Sequence, residues 1–238
     1  MKISVEKTFA SAIILLAGIF FSYNGFGQQA GLGSWNILNV RYNYNKKLSF
    51  FGEGQIRSLK FYNQFHYYEY KAGLIYQFHK SATIALGAGN YDTYAEGGNF
   101  VKPKNNDEFR LWPQLIINQS LWQFKIEQRY RSEFRFTSRG FRMRYRYRIG
   151  VAYPFGKSTK GYKPYQIAFN NELFFTGREP YFERNRLAFL FSRKITAKTT
   201  LQMGYLHQFD YRINDETGRD FLVVGLFLEF NRPKEKRN

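Results

Sequence analysis

The sequence predicts an all-β chain, a transmembrane antiparallel up-and-down β-barrel of about 10–12 strands behind a cleaved N-terminal signal peptide. Three observations lead there. A short apolar run follows two lysines at the start, period-two alternation recurs from Trp35 to Phe230, and the connections between alternating segments switch between short and long.

Lys2 and Lys7 precede the uncharged run FASAIILLAGIFF, and Asn24-Gly25-Phe26-Gly27 then offers small residues for cleavage. Residues 9–21 are short of the roughly 20 that a helix needs to cross a bilayer. The expected organisation is a signal over residues 1–27, one barrel domain over 28–230 and a short basic tail over 231–238. Cysteine is absent, which removes a disulfide framework, thiolate metal sites and a lipidated N-terminal cysteine. A mean hydropathy of −0.51 resembles that of a soluble protein, but hydropathy windows are nearly blind to membrane strands. Net charge is +18, which favours anionic surfaces or solutes and leaves the fold open. Aromatic residues make up 20% of the chain, more than a soluble core needs.

Successive side chains of a strand point to opposite faces, so each alternating segment sorts itself. Asn36, Leu38, Val40, Tyr42 and Tyr44 oppose Asn39, Arg41 and Asn43. Leu48, Phe50, Gly52, Gly54 and Ile56 oppose Phe51, Glu53, Gln55 and Arg57. Tyr68, Tyr70, Ala72, Leu74 and Tyr76 oppose Glu69, Lys71 and Gln77. Ala82, Ile84, Leu86 and Ala88 oppose Thr83, Ala85 and Gly87, and Phe109, Leu111, Leu115 and Ile117 oppose Glu108, Arg110 and Gln114. Trp122, Phe124, Ile126 and Tyr130 oppose Gln123, Lys125, Glu127 and Arg129. The cleanest segment is GFRMRYRYRIG, where Arg142, Arg144, Arg146 and Arg148 alternate with Phe141, Met143, Tyr145, Tyr147 and Ile149. Tyr165, Ile167, Phe169 and Leu173 oppose Gln166, Asn170 and Glu172. Leu187, Phe189 and Phe191 share a less regular strand with Arg186, Ala188 and Leu190. Leu201, Met203 and Tyr205 oppose Gln202, Gly204 and Gln208, and Leu222 to Phe230 closes the series. That is eleven segments, an odd number where bacterial barrels usually have an even one.

The connections at 45–47, 79–81, 118–120 and 196–198 are tight, whereas 59–66, 91–107, 132–139, 175–182 and 209–219 read as long polar loops. The 154–164 connection is long on the short-turn side. Tyr and Trp near strand ends (Trp35, Tyr44, Tyr67, Tyr68, Trp122, Tyr130, Tyr153 and Tyr165) suit interfacial girdles.

Alternation alone does not say which face is outside. A soluble periplasmic lipocalin-like binding barrel would turn its apolar residues inward. The signal, the aromatic strand ends and the many bulky rings favour lipid outside and the bacterial outer membrane as location. Arginines on the lipid face would cost about 2–4 kcal/mol each near the midplane, so the ribbon is expected to face the lumen. The expected lumen charges are Arg142, Arg144, Arg146, Arg148, Glu53, Arg57, Glu69, Glu127, Arg129, Glu172 and Arg186, with Lys71, Glu108, Arg110, Lys125 and Arg131 beside them. Two functions stay open: a structural barrel filled by its own ion pairs, or a small porin-like, anion-preferring pore.

Catalysis finds little support, and the chain is expected not to be an enzyme. An outer-membrane lipid-modifying hydrolase would need a Ser–His pair, and Ser192 near His207 is the available approach among three histidines. No metal or cofactor is expected. Asn105-Asn106-Asp107-Glu108 and Asn214-Asp215-Glu216 are acidic loop clusters without calcium-loop spacing. Nucleic acid is not an expected partner, because the alternation hides the arginines from an outer ligand. Expected partners are outer-membrane lipid, lipopolysaccharide at basic loop residues such as Lys102, Lys104, Arg135 and Arg139, small anionic solutes, and the barrel-insertion machinery that reads a C-terminal aromatic such as Phe230.

Four stretches carry a resemblance: Ser34-Trp-Asn-Ile-Leu through Gln55-Ile-Arg57, Phe141-Arg-Met-Arg-Tyr-Arg through Tyr153-Pro-Phe155, Asn171-Glu-Leu-Phe-Phe175, and Asn185-Arg-Leu-Ala-Phe through Gly204-Tyr-Leu-His-Gln208. Together they resemble an uncharacterised outer-membrane β-barrel family of gram-negative bacteria, catalogued as domain of unknown function 2490. The resemblance implies a location and a fold, and brings no catalytic residues. Within the matching stretches, Glu172 and Arg186 on adjacent strands are expected to form an interior ion pair.

Overall fold

A computed structural model describes residues 30–158, 161–213 and 216–233. The segment expected to be a signal, most of the C-terminal tail and the Asn214-Asp215 pair lie outside the described residues. Eleven strands follow one another: β1 (Ala30–Asn43), β2 (Leu48–Lys60), β3 (Asn63–His79), β4 (Ala82–Ala95), β5 (Val101–Leu121), β6 (Phe124–Thr137), β7 (Gly140–Phe155), β8 (Tyr165–Thr176), β9 (Phe182–Lys194), β10 (Thr199–Asp210) and β11 (Thr217–Asn231). Each pairs with its sequence neighbour antiparallel, and β1 pairs with β11 to close the barrel.

The closing pair is parallel, with Trp35 opposite Val223 and Asn43 opposite Asn231. Among the described residues the odd strand number is accommodated by this parallel closing pair. In an up-and-down chain successive strands reverse direction, so an odd count makes the first and last strands run the same way.

The long polar loops expected from the sequence are mostly strand. β2 and β3 are joined by residues 61–62, β6 and β7 by residues 138–139, and β5 alone runs for 21 residues. Gly140, with φ at 103°, takes the left-handed conformation that ends this tight β6–β7 turn. The start of β5 carries polar residues on both faces, so its apolar row disappears although the ladder continues, whereas β6 and β7 keep Phe134, Phe136 and Phe141 outward up to their turn. The difference between the two rims thus lies mainly in how far strands extend.

The outer surface is the apolar one. Leu38, Phe50, Leu74, Leu86, Leu111, Ile149, Phe169, Phe189 and Met203 are all exposed. Glu69, Glu108, Arg110, Arg131, Glu133, Arg144, Glu172 and Arg186 are buried inside. Two rings expected in the girdle also face inward: Trp35 and Tyr67 are buried, whereas Tyr44, Tyr130 and Trp122 are exposed. Trp35 alternates in phase with Ile37 and Asn39, which line the same cavity. Its parity outweighs its position near the strand end.

Gly87 on β4 lies opposite Trp112 on β5, and the indole occupies the space a side chain would take. A Cβ at Gly87 would sit 2.2 Å from Trp112 Cζ2, whereas one at outward Gly52 would meet nothing within 4 Å. Overpacking of this kind costs typically about 1–3 kcal/mol. Gly87→Ala is therefore expected to lower the urea midpoint of the folded barrel, and Gly52→Ala to leave it within error.

Candidate functional site

The lumen gathers the chemistry, and its densest part is the β6–β7 ladder. Inward residues of the two strands meet as Arg129 with Arg148, Arg131 with Arg146, Glu133 with Arg144 and Arg135 with Arg142. Three of these four pairs are arginine against arginine, and like charges directly opposite each other on a sheet destabilise it. Carboxylates from the surrounding wall relieve the clash.

Glu133 is fully buried and lies 2.5 Å from Arg144, 2.7 Å from Arg146, 3.6 Å from Arg131 and 3.8 Å from Arg110. Glu172 holds Arg146 at 2.8 Å and also pairs with Arg129. Glu108, likewise fully buried, takes Arg110 at 2.7 Å and Arg135. Glu183 links Arg144 at 3.1 Å to Arg135 at 3.7 Å. The result is one continuous network across β5, β6, β7, β8 and β9. Phe174 lies fully buried within it, with the guanidiniums of Arg144, Arg146, Arg184 and Arg186 between 4.5 and 5.7 Å from its centroid. A ring face attracts cations at this range, so Phe174 spaces the arginines while partly compensating them.

A second group forms on β2 and β3. Glu69 accepts from Arg57 at 3.0 Å, from Lys71 at 2.6 Å and from the Tyr67 hydroxyl, and Lys71 also reaches Glu53 at 2.6 Å. The Arg57 guanidinium lies 3.4 Å from the Trp35 centroid and 4.0 Å from that of Tyr67. On the β9–β10 wall Arg184 pairs with Asp210, whose other oxygen accepts from Gln208 at 2.6 Å. The remaining wall is apolar: Trp35, Ala188, Leu206, Phe221 and Val223 pack together there. Ala188 and Leu190 face inward with this cluster, which explains why the β9 segment read as irregular.

Several expectations need correction. Glu172 and Arg186 are directly opposed on β8 and β9, yet they do not form the expected ion pair. Arg146 and Arg129 reach Glu172 from the other side, and Arg186 Nε donates to the neutral Gln208 Oε1 at 2.9 Å. Arg142 is exposed where β7 begins, outside the buried network. Glu127 pairs with Arg148 in a half-exposed position. Arg135 is not a loop residue; it belongs to β6 and pairs with two lumen carboxylates. Residues 105–108 lie within β5, and Glu108 points inward rather than into an acidic loop. Ser192 faces inward, hydrogen-bonded by Gln202 at 3.0 Å, whereas His207 faces outward and meets Asp220 at 2.7 Å. The barrel wall separates them, so they cannot act as a nucleophile and base. Among the described residues no group of His, Cys, Asp and Glu gathers as a metal site.

Sequence reasoning missed Glu133, Glu183, Arg184 and Asp210. Arg129, Arg131, Glu133 and Arg135 keep strict period two, a signal hidden because Ser132 and the two charges beyond it look like a turn.

A cavity of about 660 Å³ remains inside the barrel, lined among the described residues by fourteen arginine and lysine side chains against seven carboxylates. Glu127 and Glu133 pair with the same arginines without removing that excess. The described lining thus carries an excess of positive charge.

Removing one partner of a buried ion pair typically costs about 3–5 kcal/mol, because the other charge stays buried, whereas exposed pairs contribute up to about 1 kcal/mol. Glu133→Gln is expected to lower the stability of the refolded barrel by the first amount in urea titrations followed by tryptophan fluorescence. Glu127→Gln, beside a more exposed arginine, is expected to change it by no more than the second.

Residues 32–219 match the family described as "Protein of unknown function (DUF2490)". Comparisons with curated proteins and with solved structures return no match. The match spans β1 to the start of β11 and so includes every lumen carboxylate named above. The chain belongs to the DUF2490 family.

Proposed function

We propose that the protein is a β-barrel of the gram-negative outer membrane whose lumen is closed by its own ion-pair network, a structural envelope component rather than an enzyme or a conducting pore. The observation that carries this reading is the sorting of the two faces: exposed leucine, isoleucine and aromatic side chains outside, arginine and glutamate buried inside. A closed barrel leaves no unpaired strand edge in hydrocarbon. Strands of 12 to 21 residues exceed the roughly 9–11 needed to cross the apolar layer when tilted. Polar groups on the outer face are largely amides and tyrosines bonded to one another, as where Tyr130 and Tyr147 donate to Gln128 at 3.0 and 3.2 Å. Rim cations such as Lys102, Arg139 and Arg142 are exposed and suit contact with anionic lipopolysaccharide. Outward-facing Phe230 near the end of β11 suits reading by the barrel-insertion machinery.

Burial weighs against conduction. Arg144, Glu133, Glu108 and Glu172 are shielded by one another, whereas a water-filled pore would keep its lining charges wet. In cells, the protein is expected in the outer-membrane fraction with heat-modifiable gel mobility; recovery from soluble periplasmic extract would overturn the assignment. In planar bilayers it is expected to stay silent across voltages. Stable anion-selective steps, weakened by Arg146→Glu, would instead favour an open, anion-preferring lumen.

A further inference from the structure

The cations of the lumen are unevenly matched. Glu69 is engaged by Arg57, Lys71 and Tyr67, Glu172 by Arg146 and Arg129, and Asp210 by Arg184 and Gln208. Arg186 is left with an uncharged partner. Its Nε donates to Gln208, it is 8% exposed, and the charges that act on it most strongly are those of Arg184, Arg57 and Arg146, ahead of Glu172. Arg57 bonds Glu69 and Gln55 through Nη2, each at 3.0 Å, but leaves its buried Nε without an acceptor. Both guanidiniums lie over the same indole, Arg57 at 3.4 Å and Arg186 at 4.9 Å from the Trp35 centroid, and all three residues line the cavity.

A buried charge without a counter-charge is costly, and a closed sheet cannot turn these side chains out to water. We infer that the cavity is a binding site for a compact soluble polyanion carrying phosphate or carboxylate groups, gripped by Arg57 and Arg186. The inference rests on the reading of the lumen as blocked by its own ion pairs, in which passage through the barrel is stopped while the cavity beside the network keeps an excess of positive charge. The guanidinium fork matches the paired oxygens of phosphate and carboxylate, which a halide lacks. Lining cations outnumber lining carboxylates two to one, which favours several anionic groups over one. The larger lumen rings already carry guanidiniums, Tyr91 that of Arg110 at 3.7 Å and Trp112 that of Arg131 at 4.0 Å. Base stacking therefore adds little, and the anionic groups carry the recognition.

The test uses the folded full-length barrel in zwitterionic detergent, titrated calorimetrically with pyrophosphate and with citrate. Saturable binding near one ligand per barrel is expected, weakened by added salt. Arg186→Gln and Arg57→Gln should each lower the affinity at least tenfold, and Lys198→Gln at the opposite rim should leave it unchanged. Because a neutral substitution in the lumen can impair folding, Arg186→Lys serves as the second variant: it keeps the charge, loses the fork and should still bind several-fold more weakly. Heat-modifiable mobility checks that each variant is folded. Absence of saturable binding to either probe, or binding indifferent to both Arg186 substitutions, overturns the inference. Co-purifying lipid that mass spectrometry finds in the wild type and not in Arg186→Gln, with no response to the soluble probes, assigns the site to a lipid phosphate and likewise overturns a soluble ligand. Calorimetry in detergent is independent of cell fractionation and bilayer recordings, so loss of this site and loss of the membrane assignment are separate results.

Discussion

The whole interior depends on one constraint: a charge placed inside a closed sheet must be neutralised by another strand. The β7 ribbon brings Arg144, Arg146 and Arg148 inward, and the facing β6 residues include Arg131 and Arg129. Left alone, that ladder would repel itself. Glu133 sits among four guanidiniums, and Glu172, Glu108 and Glu183 extend the pairing to β8, β5 and β9. Because the side-chain period is two, a slip of one residue would turn the charged set of a strand outward. The network therefore fixes register as much as it contributes energy. A ladder whose inner face must meet specific acids on other strands has one acceptable alignment.

How much of this the chain announced depends on the segment. From Phe141 to Ile149 every residue obeys the alternation, so the strand, its two faces and the inward direction of the arginines follow directly. The same rule runs on along β6 to Phe136, with Arg131, Glu133 and Arg135 inward and Tyr130, Phe134 and Phe136 outward, but Ser132 interrupts the apolar row and the charges beside it read as loop. Polar overhang and loop look alike in a sequence. Glu133, the most heavily paired acid, therefore lay in a segment read as a long polar loop. β9 failed differently: Ala188 and Leu190 face an apolar part of the lumen, so both faces there are hydrophobic and period two gives no contrast.

Partner choice was less accessible than facing. Glu172 and Arg186 stand directly opposite each other, and adjacency alone suggests a pair. The guanidiniums of Arg146 and Arg129 reach the same carboxylate from across β7 and β6, and Phe174, one inward position further along β8, holds Arg186 against its ring. Competition among long side chains in a confined volume is a three-dimensional matter that strand order does not decide. Ser192 and His207 show the reverse case. Parity alone puts them on opposite faces, since Ser192 opposes Gln202 while His207 opposes Leu187.

The apolar wall has its own explanation in the closing seam. Every other strand pair is joined by two to nine residues of chain, so its ladder forms at small loop-closure cost. β1 and β11 are the most distant strands in sequence, and their closure bears the entropy of ordering the whole barrel between them. Their ladder is also parallel, with slanted bonds that hold slightly less well per residue. Ion pairs are poorly suited to offset this, because desolvation consumes most of their attraction. Apolar burial keeps its benefit, and the buried cluster sits at the seam: Trp35 of β1 against Val223 and edge-on to Phe221 of β11, with ring centroids 5.6 Å apart, backed by Leu206 and Ala188. The lumen is therefore divided by topology. Charges crowd the wall formed by hairpins, and the hydrophobic contacts gather where the first and last strands must hold without a connection.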